Sequence, residues 1–392
     1  MKERIRTLWD RLFYRPEQLQ PASYQTTITE EGQSPYRAHL RVEPNGMGIL
    51  ILNAKTVLHL NRTATEFARY LIQKTPEDQI AAEIEKRYRI TRDEAMADYH
   101  KFVGQLDALR LTPDLDPEIY LDIDRVDPHS QEMSAPLRLD CALTYQTSGG
   151  ASDGVTPTDR ISRNLDTEEW KSIMQKAWDA DIPHVVFTGG EPTLRPDLAE
   201  LIQFGENLGM VTGLITDGLR LAETDYLHHL LQSGLDHIML ILDPSESQSW
   251  EALKDALAED ISVSVHLTLT PSNIAALPKT LERILQYGKP QISLSVESRE
   301  SKDLLATGQQ LLTTNGLSLV WSLPVPYSAN NPVKFELENG HAEQSGAGIS
   351  WLYIEPDGDV LPGQGINVVL GNFLNDPFGW IWSKAKEYTH SK

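Results

Sequence analysis

Two regimes of hydrophobic patterning divide the chain. Between Tyr36 and Leu111, the strand-like runs RAHLRV, which alternates polar and apolar positions, GILILN and TVLHL are punctuated by Pro44-Asn45-Gly46 and Asn53-Ala54-Lys55. Period-two alternation broken by turn residues predicts a short antiparallel meander. Three helices should follow. Thr63 or its neighbour Asn61 can cap ATEFARYLIQ, Thr75-Pro76-Glu77-Asp78 opens the second with proline at its first helical position, and Thr91-Arg92-Asp93-Glu94 opens the third with capping-box spacing. A meander with three helices describes a small winged-helix-like α+β domain, and its exposed sheet edge can accept an extra strand from a peptide.

From Leu137 to about Val325 the pattern changes. Near-continuous apolar runs (LRLDCALTY, HVVFTG, VTGLIT, HIMLILD, SVSVHLTLT, QISLSVES, LSLVWSLPV) are separated by amphipathic segments of helical period, from TEEWKSIMQKAWDA to SKDLLATGQQLLTTNG. Strands buried on both faces and joined by helices imply a parallel sheet, open or closed into a full or partial barrel. Function in such an architecture gathers at the C-terminal ends of the strands.

The remaining segments set the expected domain boundaries. Residues 1–35 hold an amphipathic helix, with Ile5, Leu8, Trp9, Leu12 and Phe13 at helical spacing, and a polar linker from Pro21 to Pro35. The meander domain covers 36–111, a Pro- and Asp-rich connection 112–136 and the barrel 137–325. The C-terminal region, 326–392, contains a hairpin turning at Pro356-Asp357-Gly358, a glycine-rich loop and an aromatic-rich helix.

Composition narrows the partners. The 392 residues carry 35 Lys+Arg against 56 Asp+Glu, and a net charge of -21 disfavours a bulk electrostatic grip on nucleic acid or anionic lipid. No apolar run reaches the roughly eighteen residues of a membrane span, and charged residues interrupt the N-terminus, so it lacks a secretory core. A cytoplasmic location is expected. The single cysteine, Cys141, excludes an intramolecular disulfide, a four-cysteine zinc site and an all-cysteine iron–sulfur cluster.

The sharpest local signal is Thr188-Gly189-Gly190-Glu191-Pro192, directly after the run HVVFTG. Paired glycines permit close approach of a ligand, Pro192 stiffens the exit and Glu191 offers a carboxylate, although a plain structural turn has the same requirements. Asp217, Asp243 and Glu297 also end strands. With Glu191 they either line one cation- or sulfonium-favouring mouth or each cap the turn that follows. The histidines show no metal-ligand spacing; His266, inside an apolar strand, reads as a core residue, and Cys141 as a small buried hydrophobe.

These residues resemble a known family. TEEWKSIMQKAWDADIPHVVFTGGEPTLRPDLAELI is similar to the first helix, second strand and glycine turn of radical S-adenosylmethionine (SAM) enzymes, and LRLDCALTY to their first barrel strand. GILILNAKTVLHLNRTATEFARYLI resembles the PqqD-type peptide-recognition domain beside peptide-modifying members, and WLYIEPDGDVLPGQGINVVLGNFLNDPFGWIW their C-terminal auxiliary-cluster (SPASM/twitch) region. The resemblance implies a radical-SAM-like partial (β/α) barrel of α/β class. It also implies a SAM-binding turn at Gly189, Gly190, Glu191 and Pro192, contacting the amino group of the methionine moiety.

The departure is equally specific. After the first strand the family places CxxxCxxC, whose thiolates hold a four-iron cluster. Here TYQTSGGASDG puts Thr147, Ala151 and Gly154 at those positions, Asp153 stands where an aromatic is usual, and Gly363 replaces an expected auxiliary-cluster cysteine. None of these side chains is a soft iron ligand. An iron–sulfur cluster is therefore not expected, SAM is the cofactor the resemblance implies, and no catalytic residue or metal ligand is assigned. The expected function is that of a pseudoenzyme or accessory protein in ribosomal peptide maturation. Its N-terminal domain would bind a leader or precursor peptide, with GILILN and TVLHL as the receiving strands, for a partner enzyme. The alternatives are an active radical SAM peptide-modifying enzyme whose cysteines are lost in this chain, or a non-radical SAM-binding barrel enzyme.

Overall fold

The computed structural model describes residues 19–28, 36–52, 56–88, 90–111, 133–149, 154–297, 302–320, 323–333 and 346–391. The expected N-terminal amphipathic helix, the turn at Asn53–Lys55, most of the 112–136 connection and Ala151 lie outside the described residues. Two compact units form, Met1–Ser134 and Ala135–Lys392.

The first unit is a four-stranded antiparallel sheet in the order β1 (Ala22–Ile28), β2 (Tyr36–Val42), β3 (Gly48–Leu52), β4 (Thr56–Leu60). Helices α1 (Arg62–Ile72), α2 (Glu77–Tyr88) and α3 (Arg92–Leu111) follow. The caps form as the sequence predicts: Asn61 Oδ1 accepts the Ala64 N–H at 2.9 Å, and Thr91 and Glu94 exchange capping-box hydrogen bonds. The core joins Leu40, Leu50, Leu58 and Leu60 of the sheet to Phe67, Tyr70, Ile80, Ile84 and Phe102 of the helices.

Two expectations about this unit change. Part of the Pro21–Pro35 linker is strand β1, paired antiparallel along β2 from Ala22–Val42 to Ile28–Tyr36. The polar composition of ASYQTTI conceals three β-branched residues and Tyr24, which suit an edge strand with one face in water. GILIL, expected to receive a peptide, is instead the interior strand β3, hydrogen-bonded to β2 on one side and β4 on the other. A strand paired on both edges has no backbone left for another. Only β4 of the two predicted strands lies at an edge.

The second unit carries nine strands in the order β10-β9-β8-β7-β6-β5-β11-β12-β13. Six parallel strands form its body: β5 (Arg138–Thr144), β6 (His184–Gly189), β7 (Val211–Thr216), β8 (His237–Ile241), β9 (Ser262–Leu269) and β10 (Gln291–Val296). Helices α4 (Thr167–Asp179), α5 (Leu198–Leu208), α6 (Thr224–Gln232), α7 (Ser247–Ala258) and α8 (Leu277–Tyr287) alternate with them, and α9 (Lys302–Thr314) follows β10. Asp166 caps α4 in a full capping box with Glu169. Gly209, left-handed at φ 91°, stops α5.

Strand alternation separates two faces. Leu214, Ile238 and Leu240 share the face towards the helices, where Leu240 reaches Ala252 of α7 across Gly218; Val186, Ile215 and Met239 form a cluster on the opposite, inner face. At the N-terminal end of the strands, Gly213 of β7 leaves the room in which the His237 ring reaches His184, with the two Nε2 atoms 2.8 Å apart.

The C-terminal hairpin turns at Pro356–Gly358 as expected, but its first strand, β11 (Trp351–Ile354), pairs in parallel with β5. Strands β12 (Asp359–Leu361) and β13 (Gly371–Asn372) and helix α10 (Phe378–His390) complete the unit. The region beyond residue 325 thus extends the barrel sheet. Among the described residues, the seventh strand expected at LSLVWSLPV is reduced to a parallel bridge between Leu319 and Ile292. Prolines at 324 and 326 remove the N–H donors that a longer ladder needs.

Candidate functional site

The glycine turn lies at the C-terminal end of β6 and is stitched to the end of β5. A register shift between Ala142 and Thr144 brings Thr144 opposite Gly189, whose φ is 125°. A methyl group on Gly189 would lie 2.2 Å from the Thr144 carbonyl oxygen, and one on Gly190 would lie 2.1 Å from that of Gln146. Only glycine fits at either position. The Gly190 N–H donates to the Thr144 carbonyl at 2.8 Å and the Glu191 N–H to that of Gln146 at 2.7 Å, so both amides are committed to the β5 end.

Glu191 turns inward. Its Oε1 accepts the Thr193 N–H at 2.9 Å, the Thr193 hydroxyl at 2.5 Å and the Thr216 hydroxyl at 2.8 Å; Oε2 accepts the Asp217 N–H at 2.8 Å. Burial, with the Asp217 charge added, pushes its carboxyl up to about 8, while these donors pull the other way. Pro192 begins a single 3-10 turn, Pro192–Leu194. Beyond it, Arg195 grips Asp197 in a bidentate pair and donates to the carbonyls of Leu143 and Leu165, fixing the exit.

The four strand-end carboxylates play separate local roles. Asp217 Oδ1 accepts the Leu219 N–H, Asp243 Oδ1 accepts the Ser245 N–H and hydroxyl, and Glu191 is buried; Glu297 is half-buried at the end of β10. The capping alternative therefore describes Glu191, Asp217 and Asp243. Among the described residues, no group of three or more His, Cys, Asp or Glu could hold a metal ion.

The positions that thiolates would occupy are open to inspection in part. Thr147 is half-buried, Gly154 exposed and left-handed at φ 81°, and Gly363 buried in the loop after β12. Cys141 pairs in register with Phe187 and Ile354, one residue out of phase with the inner-face Ala142. Alternation therefore puts it on the helix side, where its thiol is fully buried and pushed far above the usual range by desolvation. These residues do not fit a thiolate-held iron–sulfur cluster at the strand ends.

A polar knot at the same end escaped the sequence. Glu355, following β11, accepts the Tyr145 hydroxyl at 2.9 Å and Arg160 Nη2 at 2.8 Å, and Arg160 also reaches the Tyr327 hydroxyl at 3.4 Å. The Tyr145 and Tyr327 rings meet edge to face at 5.4 Å. Burial raises the Glu355 carboxyl against the opposing Arg160 charge, and raises the Tyr145 hydroxyl well above its usual range. Glu355 stands 195 residues from Arg160, and no local spacing connects them.

Known proteins share both halves of this architecture. The family description "Coenzyme PQQ synthesis protein D (PqqD)" matches residues 48–111, and "Radical SAM superfamily" matches residues 141–258. Two family models thus match in succession, a PqqD domain followed by a radical SAM domain. Among curated relatives, the PqqA peptide cyclases of Streptomyces rochei and Gluconobacter oxydans are 24% and 27% identical, in each case over 58% of this chain and 70% of theirs. Streptococcus suis SuiB superposes with TM-score 0.55 when bound to its precursor peptide SuiA and 0.56 when bound to S-adenosylmethionine, both at 16% identity. The SuiA-bound form covers 88% of this chain and 86% of SuiB, the other 91% and 88%. At that identity the likeness establishes the fold alone. Among the described residues, none of its helices is long and apolar enough to cross a membrane.

Proposed function

We propose that this chain is a cluster-free radical SAM superfamily protein that acts in the cytoplasm as an accessory to ribosomal peptide maturation, receiving a precursor peptide on its N-terminal sheet for a partner enzyme. The observation that carries the reading is the donor set at the strand ends. The sequence places Thr147, Ala151 and Gly154 where thiolates would stand after the first of six parallel strands, and the one thiol of the chain, Cys141, faces the helices. Without soft ligands there is no site from which an electron reaches a sulfonium, so no radical step is assigned to this chain.

The peptide half of the reading is supported by the PqqD-like domain and by relatives that bear the names of peptide cyclases. Of the two sheet edges in that domain, β1 and β4, β4 is the one assigned to the peptide: it pairs with β3 alone among the described strands, and its Val57 is 40% exposed. An extended peptide would add to β4 through main-chain hydrogen bonds, with Val57 contributing apolar contact. In the barrel, SAM is the ligand assigned to the turn Gly189, Gly190, Glu191 and Pro192.

Anaerobic reconstitution with iron and sulfide tests the reading. The expected result is iron well below one atom per chain and no charge-transfer absorbance; about four irons per chain would overturn it and restore the active radical enzyme.

A further inference from the structure

The barrel mouth carries an occupant of its own. Residues Leu323–Val333, with the sequence LPVPYSANNPV, run across the C-terminal ends of β5 and β6. Two side chains anchor the segment from the inner side. Leu323 packs on Val186, Ile215 and Met239, and Tyr327 lies 2% exposed against Ala142, Tyr145, Tyr353 and Leu361. The Tyr327 N–H donates to the Gly189 carbonyl at 3.0 Å. The glycine turn that the sequence marks for a ligand's amino group thus already has a donor.

The remaining bonds tie the segment down at several places. Val333 N–H donates to the Val155 carbonyl at 3.0 Å, in the loop after β5, and Gln364 Nε2 donates to the Val325 carbonyl at 2.7 Å, from the loop after β12. Asn331 folds the segment on itself, its Nδ2 donating to the carbonyls of Val325 and Pro326. Pro324, Pro326 and Pro332 restrict the backbone beforehand, so little conformational entropy opposes the seated state. Both loops that the family would use for cluster cysteines are therefore joined here by one strap.

We propose that Leu323–Val333 is a built-in strap that closes the barrel mouth by placing the Tyr327 amide on Gly189, and that SAM reaches the turn only from the strap-open state. The strap then sets the apparent affinity, which falls in proportion to the open fraction. An open fraction on the order of one in a hundred weakens binding about a hundredfold. The proposal rests on the cluster-free reading only in taking SAM without iron as its probe.

Calorimetric titration of the full chain with SAM tests this, comparing the native protein with Tyr327→Ala and Gln364→Ala. Gln364 touches the strap at Val325, away from the turn, so its replacement loosens the strap without carving new space beside Gly189. Both variants should bind at least about tenfold more tightly than the native protein. Equal affinity in all three folded proteins, undetectable binding included, overturns the strap. If a variant does not fold, hydrogen exchange at the Tyr327 amide of the native chain decides: faster exchange under saturating SAM supports the strap, and unchanged exchange overturns it. Iron content measured on the same samples separates the two claims, since iron incorporation sinks the cluster-free reading and leaves the strap result standing.

Discussion

The Glu191 carboxylate accepts the backbone N–H of Asp217 at 2.8 Å, bolting the glycine turn after β6 to the first residue beyond β7. That relationship makes Glu191 a strut between two strand ends. Its other oxygen holds Thr193 and Thr216. Glu191→Ala should leave several buried donors unpaired and cost about 3 kcal/mol, read as a lower urea midpoint with an unchanged slope.

Glu191 should also give the protein a pH signature. Its folded value, about 8, lies above that of an unfolded glutamate because burial and Asp217 disfavour the charge. The stability it supplies is complete below the unfolded value near 4.5 and is lost as pH rises through about 8. Melting temperature should therefore fall as pH rises from about 4.5 to about 8 and level off above it, and Glu191→Gln should flatten that fall. An unchanged slope in the variant would assign the titration elsewhere.

His266 works in the opposite direction. Fully buried on β9, it bonds Ser293 Oγ at 2.9 Å through Nδ1 and Ser295 Oγ at 3.0 Å through Nε2, and desolvation lowers it to about 4. A depressed histidine contributes stability present above the unfolded value near 6.5 and lost as pH falls through the folded one. The difference corresponds to about 3 kcal/mol. Urea unfolding at pH 7, 5.5 and 4.5 should show the native protein losing stability more steeply than His266→Gln.

The sequence was informative wherever a local rule governs the outcome. Helix caps at Asn61 and Thr91, the Pro356–Gly358 hairpin and the parallel β/α alternation follow from spacing and composition within a few residues. What it hid depends on long-range pairing. Polar ASYQTTI becomes β1 because β2 supplies its partner, and the described residues of LSLVWSLPV form no strand, with Pro324 near its end. The glycine turn was legible because two adjacent glycines before a proline stand out in the sequence, although what requires them, the Thr144 and Gln146 carbonyls at the end of β5, was not. The inward rotation of Glu191 and the Arg160–Glu355–Tyr145 knot were not, since they join residues from 26 to 210 positions apart.

Cys141 offers a direct check on the donor argument. Its thiol is fully buried on the helix side of β5 and raised by desolvation, so the reactive thiolate is scarce at neutral pH. Iodoacetamide should modify less than about a tenth of the native protein over the time that labels it fully in denaturant. Rapid labelling of the native chain would place the thiol within reach of solvent and weaken its exclusion as a cluster ligand.

The peptide-binding reading makes its own demand on β4. Because β3 is paired on both sides, the added strand is assigned to the outer edge of β4, beside Val57, rather than to the opposite edge at β1. A charge there should repel an apolar peptide side chain while leaving the fold intact, because Val57 is 40% exposed and absent from the Leu50–Leu58–Phe67 core. With a fluorescent precursor peptide from the same biosynthetic locus, Val57→Asp should weaken binding about tenfold, a loss of about 1.4 kcal/mol. The matching change on β1, Thr27→Asp, should leave it unaltered, since β1 lies at the opposite edge. Equal losses from both substitutions would point to charge repulsion across the whole domain, and no loss from either would remove β4 as the receiving strand.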